Sequence, residues 1–270
     1  MNDFFVRTSY ILLSALLVAP SLPTPVVGYQ SPAPAAPSSA VTLQSALTAL
    51  SPTPTTDVSL SGSVHSIAGS DDNTGTATLK ALSSGSARVD MAFTSGTVSE
   101  IYSSSTSGIA AAWVDATGKS HQVPGHNLLA EPAWFSPVVS LSRRLNSGQV
   151  VTDIGADERF GIKVEHFSVY EVPNFPQPAV GVTYQHLSQL DYFLDPATSL
   201  PVSISYNIHP DSNAGQDIPV AVEFSDYHAV SGVQIPFHIQ KFINGTLALD
   251  IQLQNAVVNS GISISAFAIQ

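Results

Sequence analysis

Residues 233–258, VQIPFHIQKFINGTLALDIQLQNAVV, decide the fold of this chain. At their centre, Asn244-Gly245 is the strongest hairpin signal in the sequence, because both central residues of a type I′ turn need a positive φ. After the turn, apolar and polar residues alternate, as they do in a half-buried strand. The apolar positions are Leu247, Leu249, Ile251 and Leu253. The stretch therefore predicts two long antiparallel strands.

The same pattern of short strands and turns extends toward both ends. Residues 69–75, GSDDNTG, predict one hairpin turn, and Ser231-Gly232 predicts another. The predicted strands cover residues 57–67, 76–82, 87–93, 98–102, 109–114, 160–172, 191–194, 200–208, 218–230, 233–242 and 247–258. An antiparallel sheet of ten or more strands tends to curl, split or close.

Two short helices interrupt the strands. Residues 41–50 place Leu43, Leu47 and Leu50 at helical spacing before Pro52. Residues 137–146 repeat this spacing, with Val138, Leu141 and Leu145 on one face. The predicted class is α+β and mostly β, with short helices covering the apolar side of the sheet.

The N-terminal residues predict export. Arg7 precedes an apolar run over residues 10–19, which Pro20 ends. This is the layout of a secretory signal peptide, assigned to residues 1–28; the alternative is a buried core helix. Residues 29–40 form a Pro/Ala/Ser linker, and residues 41–270 form a single β-rich domain. We therefore expect a periplasmic or secreted protein with no transmembrane segment after cleavage.

Composition excludes several function classes. The net charge is −11 with only nine Lys and Arg, so the chain lacks the cation clusters that bind nucleic acid. It has no cysteine, and therefore no disulfide, thiolate metal site, cysteine nucleophile or lipoprotein anchor. It also lacks the Gly-x-Ser-x-Gly, His-Glu-x-x-His and phosphate-loop motifs. No catalytic residue and no cofactor are predicted.

Among the residues of the sequence, histidines are the best candidates for metal ligands. His121 and His126, with His166, His186 or Glu131, could supply three zinc ligands. Their spacing matches no ligand pattern, and Pro124-Gly125 predicts a loop, so exposed histidines without metal are the favoured interpretation.

Two other polar groups have simpler interpretations. Asp211, Asn213 and Asp217 are spaced like calcium ligands, but the loop lacks the required Gly and the bidentate Glu. A plain turn is favoured. His228 and His238, in neighbouring predicted strands, are interpreted as surface residues rather than a proton relay.

The C-terminal half resembles a known family. Residues 190–202, LDYFLDPATSLPV, are similar to the strand, Asp-x-x-Thr-x-Leu-Pro, strand hairpin of the LolA-like superfamily of periplasmic lipoprotein carriers. Residues 224–227 and 232–236 resemble that family's Asp-Tyr, x-x-x-Gly-x-x-x-Pro pair. The closing tail carries matching residues at Asn259, Gly261 and Phe267. Residues 41–67 match loosely, as a helix and a strand that ends in Gly62.

The resemblance implies a strongly curved antiparallel sheet, an unclosed barrel, with helices on its concave face. It also implies a cavity for acyl chains or other apolar ligands. Trp113, Trp134, Phe135, Tyr102 and Tyr192 would then line this cavity; without it they are core residues. The carriers' functional residues have no matching positions here, and only two Met are present.

Three functions follow from these observations. The first is a non-enzymatic periplasmic binding protein for a lipid, an acyl chain or a lipidated peptide. The second is a structural or protein-interaction module of the cell envelope without a small-molecule ligand, because edge strands offer docking templates. A hydrolase or metal enzyme is the least supported.

Overall fold

The computed structural model of the chain describes residues 42–106, 108–146, 149–172 and 178–269. The predicted signal peptide and the linker lie outside these residues. The described helices are α1 (Leu43–Leu50), α2 (Pro137–Asn146), α3 (Pro178–Ser188) and two 3-10 helices, Gly125–Leu129 and Ile264–Phe267. None of the described helices is long and apolar enough to cross a membrane.

Thirteen strands account for most of the described chain. They are β1 (Asp57–Ala68), β2 (Asp71–Leu82), β3 (Ala87–Phe93), β4 (Gly96–Ser105), β5 (Gly108–Val114), β6 (Ser120–Gln122), β7 (Val150–Arg159), β8 (Ile162–Tyr170), β9 (Leu190–Leu194), β10 (Pro201–Ile208), β11 (Ile218–Val230), β12 (Val233–Ile243) and β13 (Thr246–Val258).

All thirteen strands belong to one antiparallel sheet. Their order is β6-β5-β4-β3-β2-β1-β13-β12-β11-β10-β9-β8-β7. Strands β1 to β6 therefore form one meander and strands β7 to β13 form a second. The pairing of β1 with β13 joins the two meanders. Within the described residues β6 and β7 remain at opposite edges, so the sheet does not close. The predicted mostly-β class and unclosed antiparallel sheet are confirmed.

The sheet is strongly curved. Glu100 on β4 and Lys241 on β12 are separated by five strand spacings, which would be roughly 24 Å in a flat sheet. Yet Lys241 Nζ lies 3.6 Å from Glu100 Oε1. Two side chains cannot span a gap of about 24 Å, so the sheet must bend until its two halves face each other.

Helices α1 and α2 fill the concave side of this bend. They contact each other and β12, and their apolar residues belong to one hydrophobic core with both halves of the sheet. Thr42 and Ser45 form a capping box at the start of α1. Both helices predicted from sequence are confirmed, and α2 has the predicted bounds.

The predicted hairpin at Asn244-Gly245 is confirmed, and it joins β12 to β13. Asn244 and Gly245 have φ values of 50° and 75°, and Ser231 and Gly232 have 50° and 85°. On β13, Leu249, Ile251 and Leu253 are buried as the alternation predicts.

Two predicted segments were placed wrongly. The strand predicted over residues 160–172 begins only at Ile162, because Phe160 and Gly161 have positive φ and form the β7–β8 turn. The turn predicted over residues 69–75 is confined to Gly69-Ser70. Gly75 lies inside β2, where a Cβ would overlap the Ala92 carbonyl oxygen, so this glycine marks close strand packing.

Helix α3, strands β6 and β7, and the two 3-10 helices were not predicted from the sequence. In α3, PAVGVTYQHLS, Gly181 and the β-branched residues have low helix propensity, and the apolar Val182 lies opposite the face that carries Val180, Tyr184 and Leu187. Strand β7 lies at a sheet edge with almost every residue exposed, so its sequence has no alternation to detect.

The C-terminal tail is tied to β1 by Asp57. The carboxylate of this buried residue accepts hydrogen bonds from Ser260 N and Oγ and from Gly261 N, at 2.7–3.0 Å. Burial raises the pKa of Asp57, but these hydrogen bonds outweigh it and leave the pKa below its usual value. The tail residues that carry the family resemblance are therefore structural.

Gly62 lies at the junction between the two meanders, where β1 pairs with β13. It does not end β1, as the resemblance suggested, but lies mid-strand beside the bulge between β1 and β13. A Cβ there would overlap the backbone oxygen of Gln252. We expect Gly62→Ala to lower the free energy of unfolding by about 3 kcal/mol in urea titrations.

Gly181→Ala is the matched control. Gly181 is inside α3, and a Cβ added there would meet no other atom within 4 Å, so the substitution should raise stability by up to about 1 kcal/mol. Equal stability of Gly62→Ala and the wild type would show that the β1–β13 junction is looser than described.

Candidate functional site

Four of the five predicted cavity aromatics meet on the concave face. Trp134, Phe135 and Tyr192 are buried in the core, at 2%, 0% and 0% exposure, and Tyr102 packs against it. The rings of Trp134 and Phe135 meet edge to face at 5.6 Å. The interior of the bend is thus occupied by the protein's own side chains. Trp113 lies apart on β5 and stacks on His121, with ring centroids 4.0 Å apart.

Polar contacts hold Trp134 in place. Its Nε1 donates to Glu100 Oε2 at 3.2 Å, and Lys241 Nζ lies 4.2 Å from the ring centroid. The indole thus bridges β4 and β12, the strands that the bend brings together. Burial first, and then the charges of Glu100 and Glu131, raise the pKa of Tyr102 well above its usual value, so this phenol stays neutral.

Tyr192 fixes α2 to the sheet. Its hydroxyl and that of Ser140 on α2 are 2.6 Å apart in a fully buried hydrogen bond. Removal of either hydroxyl would leave the other unpaired in the core, which costs about 1–3 kcal/mol.

A buried ionic network lies behind α2. Glu131 has no exposed side-chain surface and accepts from Arg143 at 2.6 Å and from Arg144 at 3.1 Å. Arg144 also donates to the Ser188 carbonyl at the end of α3, at 3.1 Å. The network reaches α3 again through Glu171, which accepts from Tyr184 at 3.0 Å. Charged groups therefore connect α2 with α3.

Helix α3 borders an apolar cleft. The cleft has a volume of about 340 Å³ and is a shallow depression, widely open to solvent. Among the described residues, the lining is formed by Ala179, Val180, Thr183, Tyr184 and Leu187 of α3. Eight of the eleven exposed large apolar side chains in the described residues fall within residues 150–182, on β7, α3 and nearby turns. Near α3 these side chains include Val172, Val180 and Val182, and Val150 and Val151 on β7 pair with the end of β8 that precedes α3.

The residues considered for zinc separate into two groups. His121 pairs with Asp115 at 3.1 Å, His166 packs on Phe193, and Glu131 is committed to the arginines. His126 and His186, in contrast, both approach His209, with ring centroids 6.0 and 5.9 Å away. His209 was not singled out in the sequence, because it stands alone at a strand end.

The residues considered for calcium also separate. Asn213 Oδ1 accepts from Gly215 N at 3.1 Å within its own loop, whereas Asp217 turns toward His186 and His209. His228 and His238 pair with different carboxylates, those of Asp226 and Asp250.

The fold is similar to three solved structures. An outer-membrane lipoprotein-sorting protein domain from Vibrio parahaemolyticus has a TM-score of 0.51 at 10% identity, over 83% of this chain and 94% of that chain. A DUF1329 family protein from Desulfovibrio piger has 0.52 at 10%, over 84% and 94%. A LolA superfamily protein from Nitrosomonas europaea has 0.50 at 9%, over 85% and 99%.

These similarities show that the chain has a LolA-like fold, as the sequence motifs predicted. In sequence, no family model and no curated protein matches it.

The negative charge of Glu131 balances the positive charges of Arg143 and Arg144 behind α2. Burial raises its pKa, but the positive charges of Arg143 and Arg144 outweigh burial, so the pKa lies below its usual 4.5. The resulting stabilisation is complete above pH 4.5 and is lost as pH falls through the lower pKa of the folded state.

We expect Glu131→Gln to cost about 3–5 kcal/mol at pH 7, because it leaves the buried Arg144 and the partly buried Arg143 without their nearest anion. The variant should also lose part of the pH dependence of unfolding below pH 4.5. Urea titrations at pH 7 and pH 4 measure both effects. Glu158→Gln, at an exposed position on β7, is the control and should change stability by less than about 0.5 kcal/mol. Equal losses in the two variants would contradict a special role for Glu131.

Proposed function

We propose that this LolA-like protein is an exported, non-enzymatic binding protein for an apolar ligand: a lipid, an acyl chain or a lipidated peptide. The observation that carries the proposal is the open apolar cleft beside α3, where Val180 and Val182 are exposed. One protein of similar fold is described as a lipoprotein-sorting domain, which supports the ligand class.

The walls of the cleft suit a ligand with few polar atoms. Ala179, Val180 and Leu187 offer only hydrocarbon, and the polar atom of Tyr184 is already bonded to Glu171. Sites for small apolar molecules combine such walls with few polar groups and volumes from about 300 Å³ upward. A longer chain would extend beyond the cleft along the exposed apolar residues.

The aromatic residues of the concave face are a second part of the proposal. Trp134, Phe135 and Tyr192 are fully enclosed, so a ligand reaches them only if the segment before α2 moves outward. We propose that they, with Tyr102 and Trp113, line the cavity that such a movement opens. The cleft beside α3 would then be the first contact and the concave face the final site.

We expect the protein, isolated from its own extracytoplasmic fraction, to carry an acyl species that native mass spectrometry and lipid extraction reveal. After delipidation it should bind a fluorescent fatty-acid probe saturably. Val180→Glu should weaken binding at least tenfold, because it places a charge in an apolar wall. Val257→Glu, at an exposed site on β13, is the matched control and should bind like the wild type.

The location of the ligand can be read from Trp134. In a Trp113→Phe variant, Trp134 is the single remaining tryptophan. A brominated fatty acid should quench its emission if the ligand enters the concave face, and should leave it unchanged if the ligand stays beside α3. A delipidated wild type that never saturates with the probe would overturn the ligand-binding proposal.

An envelope interaction module without a small-molecule ligand is the second candidate. Strand β7 favours it, because this ten-residue edge exposes Val150, Val151 and Ile154. Exposed edge strands accept a further strand from a partner. The opposite edge, β6, has only three residues.

For this second candidate we expect a photo-crosslinker at position 154 to capture an envelope protein in cells, and the same group at position 257 on β13 to capture none. Replacement of Val151 by Pro removes a backbone donor from the edge strand and should abolish capture. Capture from both positions alike would contradict recognition at β7.

A further inference from the structure

We propose that His186, His209 and Asp217 form a binding site for a divalent transition-metal ion of the zinc type. Within the described residues, these are the one group of His, Cys, Asp or Glu side chains whose ligand atoms all lie within 4.8 Å of one another. The sequence favoured no metal here, since His209 and Asp217 were not connected with the zinc candidates. The proposal is independent of any apolar ligand.

The backbone brings the three residues together from two directions. His209 directly follows β10 and Asp217 directly precedes β11, and these strands pair at Ile208 and Ile218. The two ends of the loop are therefore held side by side. His186, in the last turn of α3, approaches from outside the sheet.

Two imidazoles converge on one carboxylate oxygen. His186 Nε2 lies 2.8 Å and His209 Nε2 lies 3.1 Å from Asp217 Oδ1. With metal–ligand bonds of about 2.0–2.1 Å, tetrahedral ligand atoms are about 3.3 Å apart. The two N–O separations need to widen by only a few tenths of an ångström, and the two imidazole nitrogens lie within 4.8 Å of each other. His186 and Asp217 are half-exposed, so their side chains have room to adjust.

The His209 side of the site is rigid. The His209 side chain is 1% exposed. Asn127 holds the His209 backbone with two buried hydrogen bonds: Asn127 Nδ2 donates to the His209 carbonyl at 2.8 Å, and the His209 amide donates to Asn127 Oδ1 at 2.9 Å. His126 closes one wall, but its Nε2 lies 3.2 Å from the Pro210 carbonyl oxygen and is engaged there. The protein thus supplies three ligands, and water completes the coordination.

The donor set selects the kind of ion. Two neutral imidazoles and one carboxylate suit zinc, copper, nickel or cobalt, whereas calcium and magnesium require oxygen ligands throughout. A net charge of −11 favours accumulation of cations near the protein. Other His–Asp pairs, such as His228 with Asp226, bring only one imidazole to a carboxylate.

The second ring nitrogen of His209 limits the expected affinity. Metal-bound histidines usually donate this nitrogen's proton to a carboxylate or carbonyl, and loss of that partner weakens binding about 10–100-fold. Nδ1 of His209 is buried and has no such hydrogen-bond partner among the described residues. We therefore expect a reversible site rather than a permanently loaded structural one.

Isothermal titration of the full chain, purified without a histidine tag, with zinc chloride tests the proposal. The wild type should bind one zinc ion saturably, and His186→Gln and Asp217→Asn should each bind at least tenfold more weakly. Both positions are more than 40% exposed, so both variants should fold, as circular dichroism will confirm. His228→Gln is the control and should match the wild type.

Cobalt(II) gives a second readout. A four-coordinate cobalt site has strong visible absorption, which should appear on the wild type and His228→Gln and be absent from the other two variants. Wild-type protein that binds no zinc, or variants that bind zinc and cobalt as the wild type does, would overturn the proposal. The fatty-acid probe measures a separate property, so either proposal can fail alone.

Discussion

The bend of the sheet is the constraint on which the rest of the structure depends. It brings β4 to β12 and gives both meanders one interior, into which α1 and α2 pack. Trp134 lies where the two halves meet, between the carboxylate of Glu100 and the ammonium of Lys241. A flatter sheet would expose the apolar residues of its concave side, and α1 and α2 alone could not cover them. Curvature and core packing therefore require each other.

Sequence patterns predicted the parts of the fold that local chemistry determines. Turns with positive φ, such as Asn244-Gly245, and strands with one buried face, such as β13, carry clear signals. Edge strand β7 and helix α3 do not, because their residues are mostly exposed and their stability comes from contacts made elsewhere in the chain. Tyr184 and Leu187 attach α3 to the body, but the sequence does not show that Tyr184 bonds to Glu171.

In the candidate sites, too, the sequence shows local features but not the contacts between distant residues. Aromatic residues could be recognised as interior, but whether they enclose a ligand or fill the space themselves depends on helices that pack against them. The His186, His209 and Asp217 group combines two strand ends with the last turn of a helix that lies before β9, and so cannot be assembled from spacing. In the sequence, His126 was considered with the zinc candidates and Asp217 with the calcium candidates. The pairing of β10 with β11 places His209 beside Asp217, and the packing of α3 adds His186.

The pairing of the first strand with the last has a consequence for how the chain acquires its structure. Thr56 and Asn259, which bond across this junction, are 203 residues apart. Contacts of such long range form late, because the entropy of closing so large a loop must be overcome first. A chain threaded through a membrane from its N-terminus would deliver β1 long before β13. If the chain is exported as we propose, its core would stay incomplete until the final strand emerged.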